Sequence, residues 1–291
     1  MGLTIEASRF QLAFSSVVLG KLLMKNAQHI PPDVGRHDLQ HSARIALASL
    51  DLTSLNDADT QADIAQLCLR AQGPCGPAAA VCVWPRLAAF ARTQLPVHIG
   101  VAAVANFPHG RPDVEAAVQD TLQIVQTGAQ EVDVVMPYRS LIAGDELAVT
   151  KLLTAVRQAC PGLVLKVILE TGELQTPERI ERACHLALEA GADFLKTSTG
   201  KSAVHATPEA ARVMLNAIAA HPVARNHVGF KASGGIRTVQ DAMVYEALAQ
   251  QILGAEALNP KRFRIGASSL LADIEAVLNP SAARPRPTGG Y

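Results

Sequence analysis

The sequence predicts an α/β protein whose strands and helices alternate and close into a barrel. Short apolar runs rich in β-branched residues are each followed by turn residues and by a segment with helical periodicity. Such alternation is typical of a parallel sheet covered by helices, and eight units predict a closed (β/α)8 TIM barrel. The predicted strands are residues 47–51, 79–84, 97–104, 131–136, 163–169, 193–197, 227–231 and 263–266.

An open, doubly wound parallel sheet would show the same alternation. Sheets of that kind commonly carry a GxGxxG turn after the first strand, where it cradles a phosphate. No such motif follows the first predicted strand, and the glycine-rich turns come late in the chain. The closed barrel is therefore the preferred prediction.

Several helix boundaries carry recognisable signals. The tripeptide TPE, at 176–178 and again at 207–209, places threonine at the N-cap, proline at the first helical position and an acid beside it. Gly128 and Gly191 each follow a helical segment and precede an apolar run by two or three residues. We expect a helix to end at each of these glycines.

The two ends of the chain do not follow the repeat. Residues 1–45 are expected to form an N-terminal extension, an additional helical segment outside the barrel, which is assigned to residues 46–279. Residues 280–291 are rich in proline, glycine and arginine, and this composition predicts a flexible C-terminal tail.

Composition narrows the possible functions. The 291 residues include 26 basic and 26 acidic side chains, so the formal net charge is +0, and only 4% are aromatic. Balanced charge and few aromatic platforms argue against nucleic acid or an anionic membrane as the main partner. No stretch is long and apolar enough to predict a membrane span. The five cysteines form no CxxC pair, and an odd number favours a reducing, cytoplasmic location.

Charged residues fall late in four neighbouring predicted strands, where a barrel delivers side chains to its active-site face. Asp133 lies in the fourth strand, Lys166 in the fifth, Lys196 in the sixth and Lys231 in the seventh. A buried ammonium is costly unless it is paired or neutral. The set therefore consists either of ion-paired structural lysines or of a catalytic amine with supporting charges. For Lys166 we favour the structural interpretation, as the partner of a carboxylate inside the barrel.

The chemistry that this set suits is carbonyl chemistry through a Schiff base. Only a neutral amine attacks a carbonyl, and a neighbouring cation destabilises the ammonium form. Lys196 and Lys231 are predicted to be such a pair. Asp133 could then pass protons to or from a substrate hydroxyl, directly or through water.

Two glycine-rich turns follow the last two predicted strands, where barrels commonly bind phosphate. They are SGGIRT at 233–238 and GASS at 266–269, and the second precedes a helical segment. Backbone N–H groups at a helix N-terminus, with hydroxyls and Arg237 nearby, would attract an anion. The two turns together predict a phosphate site.

The chain resembles the deoxyribose-phosphate aldolases, a family of class I aldolases, through motifs that occur in the family's order. They are LDLTSLN (50–56), AAVCVWPR (79–86), NFPHG (106–110), EVDVVMPY (131–138), LKVILETGEL (165–174), GADFLKTSTGK (191–201), VGFKASGGIRT (228–238) and FRIGASSLL (263–271). The resemblance covers roughly residues 46–279. It implies a (β/α)8 barrel that reversibly cleaves 2-deoxy-D-ribose 5-phosphate to acetaldehyde and D-glyceraldehyde 3-phosphate, with no metal or other cofactor.

The resemblance also implies roles for individual residues. By motif position, Lys196 matches the Schiff-base lysine, and Lys231 matches the lysine that favours its neutral form. Asp133 matches the proton-relay aspartate, and Asp51 matches an aspartate that helps to order the site. The positions expected to bind the substrate and its phosphate are Thr199, Gly200, Lys201, Gly234, Gly235, Arg237, Gly266, Ser268 and Ser269.

The last residue, Tyr291, follows a Gly-Gly pair. Some family members end in a tyrosine that reaches the active site and assists proton transfer, which makes Tyr291 a candidate catalytic residue. A disordered chain end is the alternative.

Other functions stay open. A transaldolase or another sugar-phosphate aldolase would share the amine and the phosphate site, and assays on deoxyribose and fructose phosphates would separate them. A phosphosugar-binding barrel without activity should lack part of the set Lys196, Lys231 and Asp133, and none is missing. The expected partners are small phosphorylated sugars, aldehydes and a second copy of the chain in a homodimer, and the expected process is deoxyribonucleotide catabolism.

Overall fold

The computed structural model describes residues 36–279, and residues 39–279 belong to one compact unit. Eight parallel strands pair in chain order and form a closed barrel. The strands are β1 (Leu50–Thr53), β2 (Ala80–Val83), β3 (Gly100–Ala105), β4 (Glu131–Val135), β5 (Val164–Ile168), β6 (Phe194–Lys196), β7 (Gly229–Ser233) and β8 (Phe263–Ala267).

Helices connect the strands throughout. They are α1 (Arg36–Ala48), α2 (Gln61–Arg70), α3 (Pro85–Gln94), α4 (Val114–Gln126), α5 (Tyr138–Ile142), α6 (Glu146–Ala159), α7 (Thr171–Leu174), α8 (Pro177–Glu189), α9 (Pro208–Ala220), α10 (Val239–Leu253) and α11 (Leu270–Leu278). Two short 3-10 turns, Ala224–Asn226 and Ala255–Ala257, complete the described chain.

The pairing of β1 closes the barrel. On one side Asp51 pairs with Ala80 of β2, and on the other Leu50 pairs with Ile265 of β8. An open sheet would leave these two strands at its edges. The prediction of a (β/α)8 TIM barrel is therefore confirmed, and the doubly wound alternative is wrong.

Some predicted boundaries were wrong by a few residues. The first strand was predicted at 47–51, but α1 continues through Ala48 and β1 begins at Leu50. The seventh was predicted at 227–231 and lies two residues later. The run from Ile45 to Leu52 is apolar at nearly every position, so its periodicity does not show where the helix ends.

The chain ends were assigned separately from the barrel. Of the expected extension, residues 1–45, only residues 36–45 are described. They form the first part of α1, which continues to Ala48, beyond the expected boundary at residue 45. The rest of that segment, and the tail of residues 280–291, lie outside the described residues.

The helix signals in the sequence act as expected. The Thr176 hydroxyl accepts a hydrogen bond from the Arg179 N–H at the start of α8, and Thr207 does the same at the start of α9. Gly128 and Gly191 follow α4 and α8 with φ of 75° and 86°, a conformation that favours glycine.

Alternation along the strands divides the barrel into two regions. Val132 and Val134 of β4 belong to the large apolar core that includes residues of the surrounding helices. Inside the barrel, Leu55, Cys82, Ala102 and Val104 form a small separate apolar cluster on the side of β2 and β3. Beside this cluster the interior contains several buried charged side chains.

No helix between Arg36 and Leu278 has both the length and the apolarity needed to cross a membrane.

Candidate active site

Seven charged side chains meet inside the barrel, and we call this set the ion cluster. Each is at most 7% exposed, and together they come from six of the eight strands. The cluster contains four cations and three carboxylates. Its members are Asp51, Glu131, Asp133, Lys166, Lys196, Lys231 and Arg264.

Asp133 of β4 lies at the centre of the ion cluster. Its Oδ2 accepts hydrogen bonds from the Nζ atoms of Lys196 and Lys231, both at 2.8 Å. Its Oδ1 accepts one from the Nζ of Lys166, also at 2.8 Å. The register produces this geometry, because Asp133 pairs with Lys166 across β4 and β5 and Lys196 pairs with Lys231 across β6 and β7.

A second layer of charges lies against Asp133 and its lysines. Arg264 donates from Nη2 to Glu131 at 2.8 Å and from Nη1 to Asp51. Asp51 also accepts a hydrogen bond from Lys231, and Glu131 accepts one from Lys166. Each carboxylate thus has at least two cationic partners, as a buried charge requires.

Sequence reasoning did not assign Glu131 or Arg264 to the site. Glu131 precedes Asp133 by two residues in β4, and Arg264 precedes Gly266 by two in β8. Side chains two apart in a strand lie on the same face, so this spacing was a signal that both residues point inward.

The cluster shifts the pKa values of its members in opposite directions. Burial alone would raise the pKa of Asp133, but Lys166, Lys196 and Lys231 outweigh it and hold the pKa well below its ordinary value. Burial would lower the pKa of Lys231, but Asp133 and Asp51 outweigh it and raise the pKa above its ordinary value. Burial would also lower the pKa of Lys166, but Asp133, Glu131 and Asp51 outweigh it and raise the pKa. Asp133 is therefore an anion, and Lys166 and Lys231 are cations.

Lys196 differs from the other lysines of the cluster. Within the described chain, Asp133 is the only carboxylate that pairs with its ammonium, whereas Lys166 and Lys231 each pair with at least two. Its side chain is 3% exposed, and those of the other two are fully buried. With four cations facing three carboxylates, the cluster becomes neutral when one cation loses its proton. Lys196 is the member with the fewest contacts to lose.

A polar cavity of about 330 Å³ opens at the carboxyl ends of the strands. All nine residues predicted to bind substrate and phosphate line it, together with a histidine and residues of the turn after β1 that had not been assigned. The lining includes Thr53, Ser54, Asn56, Thr199, Gly200, Lys201, His205, Ser233, Gly234, Gly235, Arg237, Gly266, Ser268 and Ser269.

Gly266 connects this cavity to the ion cluster. A Cβ at this position would lie 2.6 Å from the Ser233 Oγ and 3.1 Å from the Cε of Lys231. There is no room for a side chain, so the chain at the end of β8 lies directly against the lysine. Gly234 is similarly restricted, because a Cβ there would lie 2.9 Å from that of His205, and its φ is 85°.

Of the predicted catalytic residues, Asp51, Asp133, Lys196 and Lys231 lie together in the ion cluster, and Tyr291 lies outside the described residues. Cys82 lies next to the cluster, with its Sγ 3.9 Å from the Asp133 Oδ2. Burial, reinforced by Asp133, raises the pKa of this thiol. The Cys82 side chain is therefore a neutral thiol that packs beside the cluster, and not a thiolate.

Comparison with known families places the chain among aldolases. A family model described as DeoC/LacD family aldolase matches residues 45–276. The matched region includes every residue of the ion cluster and every residue that lines the cavity.

Solved structures give the same picture. A protein of Toxoplasma gondii ME49, provisionally assigned as a deoxyribose-phosphate aldolase, is 25% identical with a TM-score of 0.78, over 87% of this chain and 100% of that one. A protein of Coccidioides immitis with the same provisional assignment is 32% identical with a TM-score of 0.69, over 78% of this chain and 85% of that one.

A deoxyribose phosphate aldolase of Aeropyrum pernix, described as having a unique tetrameric structure, is 23% identical with a TM-score of 0.63. The match covers 85% of this chain and 99% of that one. At this identity the likeness concerns the fold alone.

Proposed function

The chain belongs to the DeoC/LacD family of aldolases, and we propose that it is a class I deoxyribose-phosphate aldolase. In the proposed reaction it reversibly cleaves 2-deoxy-D-ribose 5-phosphate to acetaldehyde and D-glyceraldehyde 3-phosphate. The observation that carries this proposal is the position of Lys196, which is the least paired lysine in a cluster that holds one cation too many.

The reaction begins at Lys196. Its neutral amine attacks the C1 aldehyde of the open-chain sugar, and loss of water forms an iminium ion. A base removes the proton of the C3 hydroxyl, the C2–C3 bond breaks, and its electrons move into the iminium to leave an enamine. Protonation of the enamine at C2 and addition of water then release acetaldehyde. The water lost in the first step is regained in the last.

Lys231 and Asp133 support these steps in different ways. Lys231 stays protonated because Asp133 and Asp51 raise its pKa, so it is a permanent cation beside the nucleophile and favours the neutral amine of Lys196. Asp133 remains an anion 2.8 Å from the Lys196 nitrogen. From there it stabilises the iminium and directs protons between the substrate hydroxyl, water and the amine.

The cavity at the ends of β7 and β8 suits the 5-phosphate. The Gly235 backbone N–H, the start of α11 after Ser269 and the Arg237 side chain are available to an anion. Gly266 lies between this cavity and Lys231, so a phosphate bound here would place the far end of a short sugar near the lysines.

We also propose a cytoplasmic location, a role in deoxyribonucleotide catabolism and assembly as a homodimer. The location is supported by five free cysteines, four of them buried, a pattern typical of a reducing compartment. Light scattering of the purified chain would distinguish a dimer from a tetramer such as that described for the Aeropyrum pernix protein.

The proposal is tested by reduction with borohydride in the presence of acetaldehyde, followed by peptide mapping. We expect an added ethyl group on Lys196, none in Lys196→Leu, and full labelling in the control Lys151→Leu, which changes an exposed lysine of α6. Label on Lys166 or Lys231 instead would show that Lys196 is not the nucleophile. Labelling of Lys196 combined with turnover of fructose phosphates, and not of deoxyribose 5-phosphate, would indicate a different sugar-phosphate aldolase.

A further inference from the structure

Glu170 is a buried carboxylate that the proposed reaction does not use. It lies between β5 and α7 and is 2% exposed. No cation of residues 36–279 forms an ion pair with it, in contrast to the carboxylates of the ion cluster. Its backbone is left-handed, with φ 57° and ψ 59°, which is unfavourable for a residue with a side chain. A buried, unpaired and strained carboxylate needs compensating contacts.

Those contacts all come from the loop after β6. The Thr199 hydroxyl donates to Oε2 at 2.5 Å, and the Thr199 N–H lies 3.4 Å from both oxygens. The Ser202 hydroxyl lies 3.0 Å from Oε1. A carboxylate accepts hydrogen bonds only, so it suits a place where three donors converge. Glu170 thus connects the end of β5 to both sides of the Thr199–Ser202 loop.

The same loop carries Lys201, which reaches across the mouth of the barrel. The Lys201 N–H donates to the Thr199 hydroxyl at 3.0 Å, so Glu170, Thr199 and Lys201 form one chain of hydrogen bonds. The Lys201 ammonium then donates to the Leu55 carbonyl at 2.9 Å. Leu55 follows β1, which pairs with β2 and β8 and is not a neighbour of β6. Lys201 therefore extends over the cavity that both loops line.

Close backbone packing also restrains the chain just after the Thr199–Ser202 loop. A Cβ on Gly172, two residues after Glu170, would lie 2.3 Å from the Val204 carbonyl oxygen. The backbone of α7 thus packs directly against the backbone at Val204. Glu170, which precedes α7, supplies the polar contacts to the adjoining Thr199–Ser202 loop.

We infer that Glu170 is a positioning residue for substrate binding, acting through the Thr199–Ser202 loop on Lys201. Its carboxylate holds the loop in the conformation in which the Lys201 ammonium lies over the cavity before the substrate arrives. Such pre-organisation increases affinity because the loop does not have to be ordered on binding. The inference rests on the proposed function, since it assumes that the cavity binds the phosphorylated sugar.

The test compares steady-state kinetics of Glu170→Ala and of the conservative Glu170→Gln. In Glu170→Ala we expect the KM for 2-deoxyribose 5-phosphate to rise about tenfold while kcat changes less than about twofold, as loss of a charged hydrogen-bond network implies. Glu170→Gln should recover most of the affinity. Its amide can accept from Thr199 and donate to Ser202, whose own hydroxyl can donate to the Val204 carbonyl 3.0 Å away.

A double-mutant cycle separates this role from general destabilisation. If Glu170 acts through Lys201, Glu170→Ala should raise KM far less in a Lys201→Met background than in the wild type. Ser202→Ala, which removes one donor from a partly exposed position, should raise KM about two- to threefold and keeps the test available if Glu170→Ala does not fold. Glu178→Gln is the matched control, because it removes an exposed carboxylate of α8 and should leave KM unchanged.

Failure of this inference can be distinguished from failure of the proposed function. Trapping of acetaldehyde on Lys196 requires no phosphate contact, so it should proceed in Glu170→Ala as in the wild type. An unchanged KM in Glu170→Ala and Ser202→Ala, or an equal rise with and without Lys201, would overturn the positioning role while trapping still occurs. Loss of trapping in the wild type would instead refute the Schiff-base chemistry.

Discussion

Replacing Lys231 by leucine removes one cation from the ion cluster and leaves its three carboxylates in place. The cluster then contains Lys166, Lys196 and Arg264 facing Asp51, Glu131 and Asp133, with equal numbers of positive and negative charges. In the wild type, loss of the Lys196 proton makes the cluster neutral. In the variant, the same loss leaves a net negative charge in the barrel interior, which is costly. We therefore expect Lys196 in the variant to retain the proton that it must lose before it can attack the substrate.

The size of the effect follows from the geometry. Both ammonium nitrogens lie 2.8 Å from the same oxygen of Asp133. Two unit charges about 5 Å apart in a medium of effective dielectric constant about 20 repel by about 3 kcal/mol, equivalent to a little over two pH units. The acid limb of the kcat/KM profile should move upward by about two pH units, and activity near neutral pH should fall by about 100-fold.

The assay is a pH profile of kcat/KM for deoxyribose 5-phosphate, together with acetaldehyde trapping at each pH. Activity of Lys231→Leu should recover as the pH is raised, and trapping on Lys196 should recover in parallel. Loss of activity through unfolding would not be reversed at high pH. Lys151→Leu, in which an exposed lysine is changed, should reproduce the wild-type profile.

An acid limb in Lys231→Leu at the wild-type position would refute the reasoning. It would mean that the charge of Lys231 does not control the proton of Lys196, and Lys231 would then serve only to pair with Asp51 and Asp133.

Three further predictions concern other parts of the molecule. Ser268→Glu places a carboxylate in the anion site, so kcat/KM should fall by orders of magnitude for deoxyribose 5-phosphate and much less for unphosphorylated deoxyribose; equal losses would mean that these turns do not bind phosphate. In the folded protein the pKa values of Asp51 and Asp133 lie below that of an unfolded aspartate, which is about 3.9. The stability that these carboxylates contribute is therefore complete above this pH, and it is lost as the pH falls from there toward their folded pKa values. Urea unfolding between pH 6 and pH 3 should show this loss, and Asp51→Asn should be less stable at pH 6 with a flatter pH dependence; an equally steep dependence would contradict it. Deletion of Tyr291 should slow proton exchange at the acetaldehyde methyl group with little change in stability, and exchange at the wild-type rate would assign no catalytic role to the terminal residue.

The sequence predicted the barrel and much of the site for different reasons. The barrel followed from alternation, which depends only on which positions are apolar. Asp133, Lys196 and Lys231 could be identified because a charge in an otherwise apolar strand contrasts with its neighbours. The glycine-rich turns were visible because their residue types are specific to turns, and all of the residues assigned to binding line one cavity.

What the sequence did not reveal depends on contacts between distant segments. Arg264 and Asp51 are 213 residues apart and meet only because β8 pairs with β1. The role inferred for Glu170 depends on the loop after β6, in which Thr199 lies 29 residues later in the chain. A single acidic residue at the end of an apolar strand does not indicate which donors will surround it. The exact end of α1 was missed because the apolar run continues through the helix boundary.

The bond between Arg264 and Asp51 also has a consequence for how the chain folds. Arg264 lies in the last strand, and its guanidinium is the partner of carboxylates on the first and the fourth. An intermediate with seven strands in place would pair Asp51 with Lys231 and Glu131 with Lys166, but it would lack the guanidinium that bonds both carboxylates. The bonds from Arg264 to these two carboxylates can therefore form only when β8 closes the barrel. The ion cluster, and with it the candidate active site, is complete only once β8 has joined the barrel.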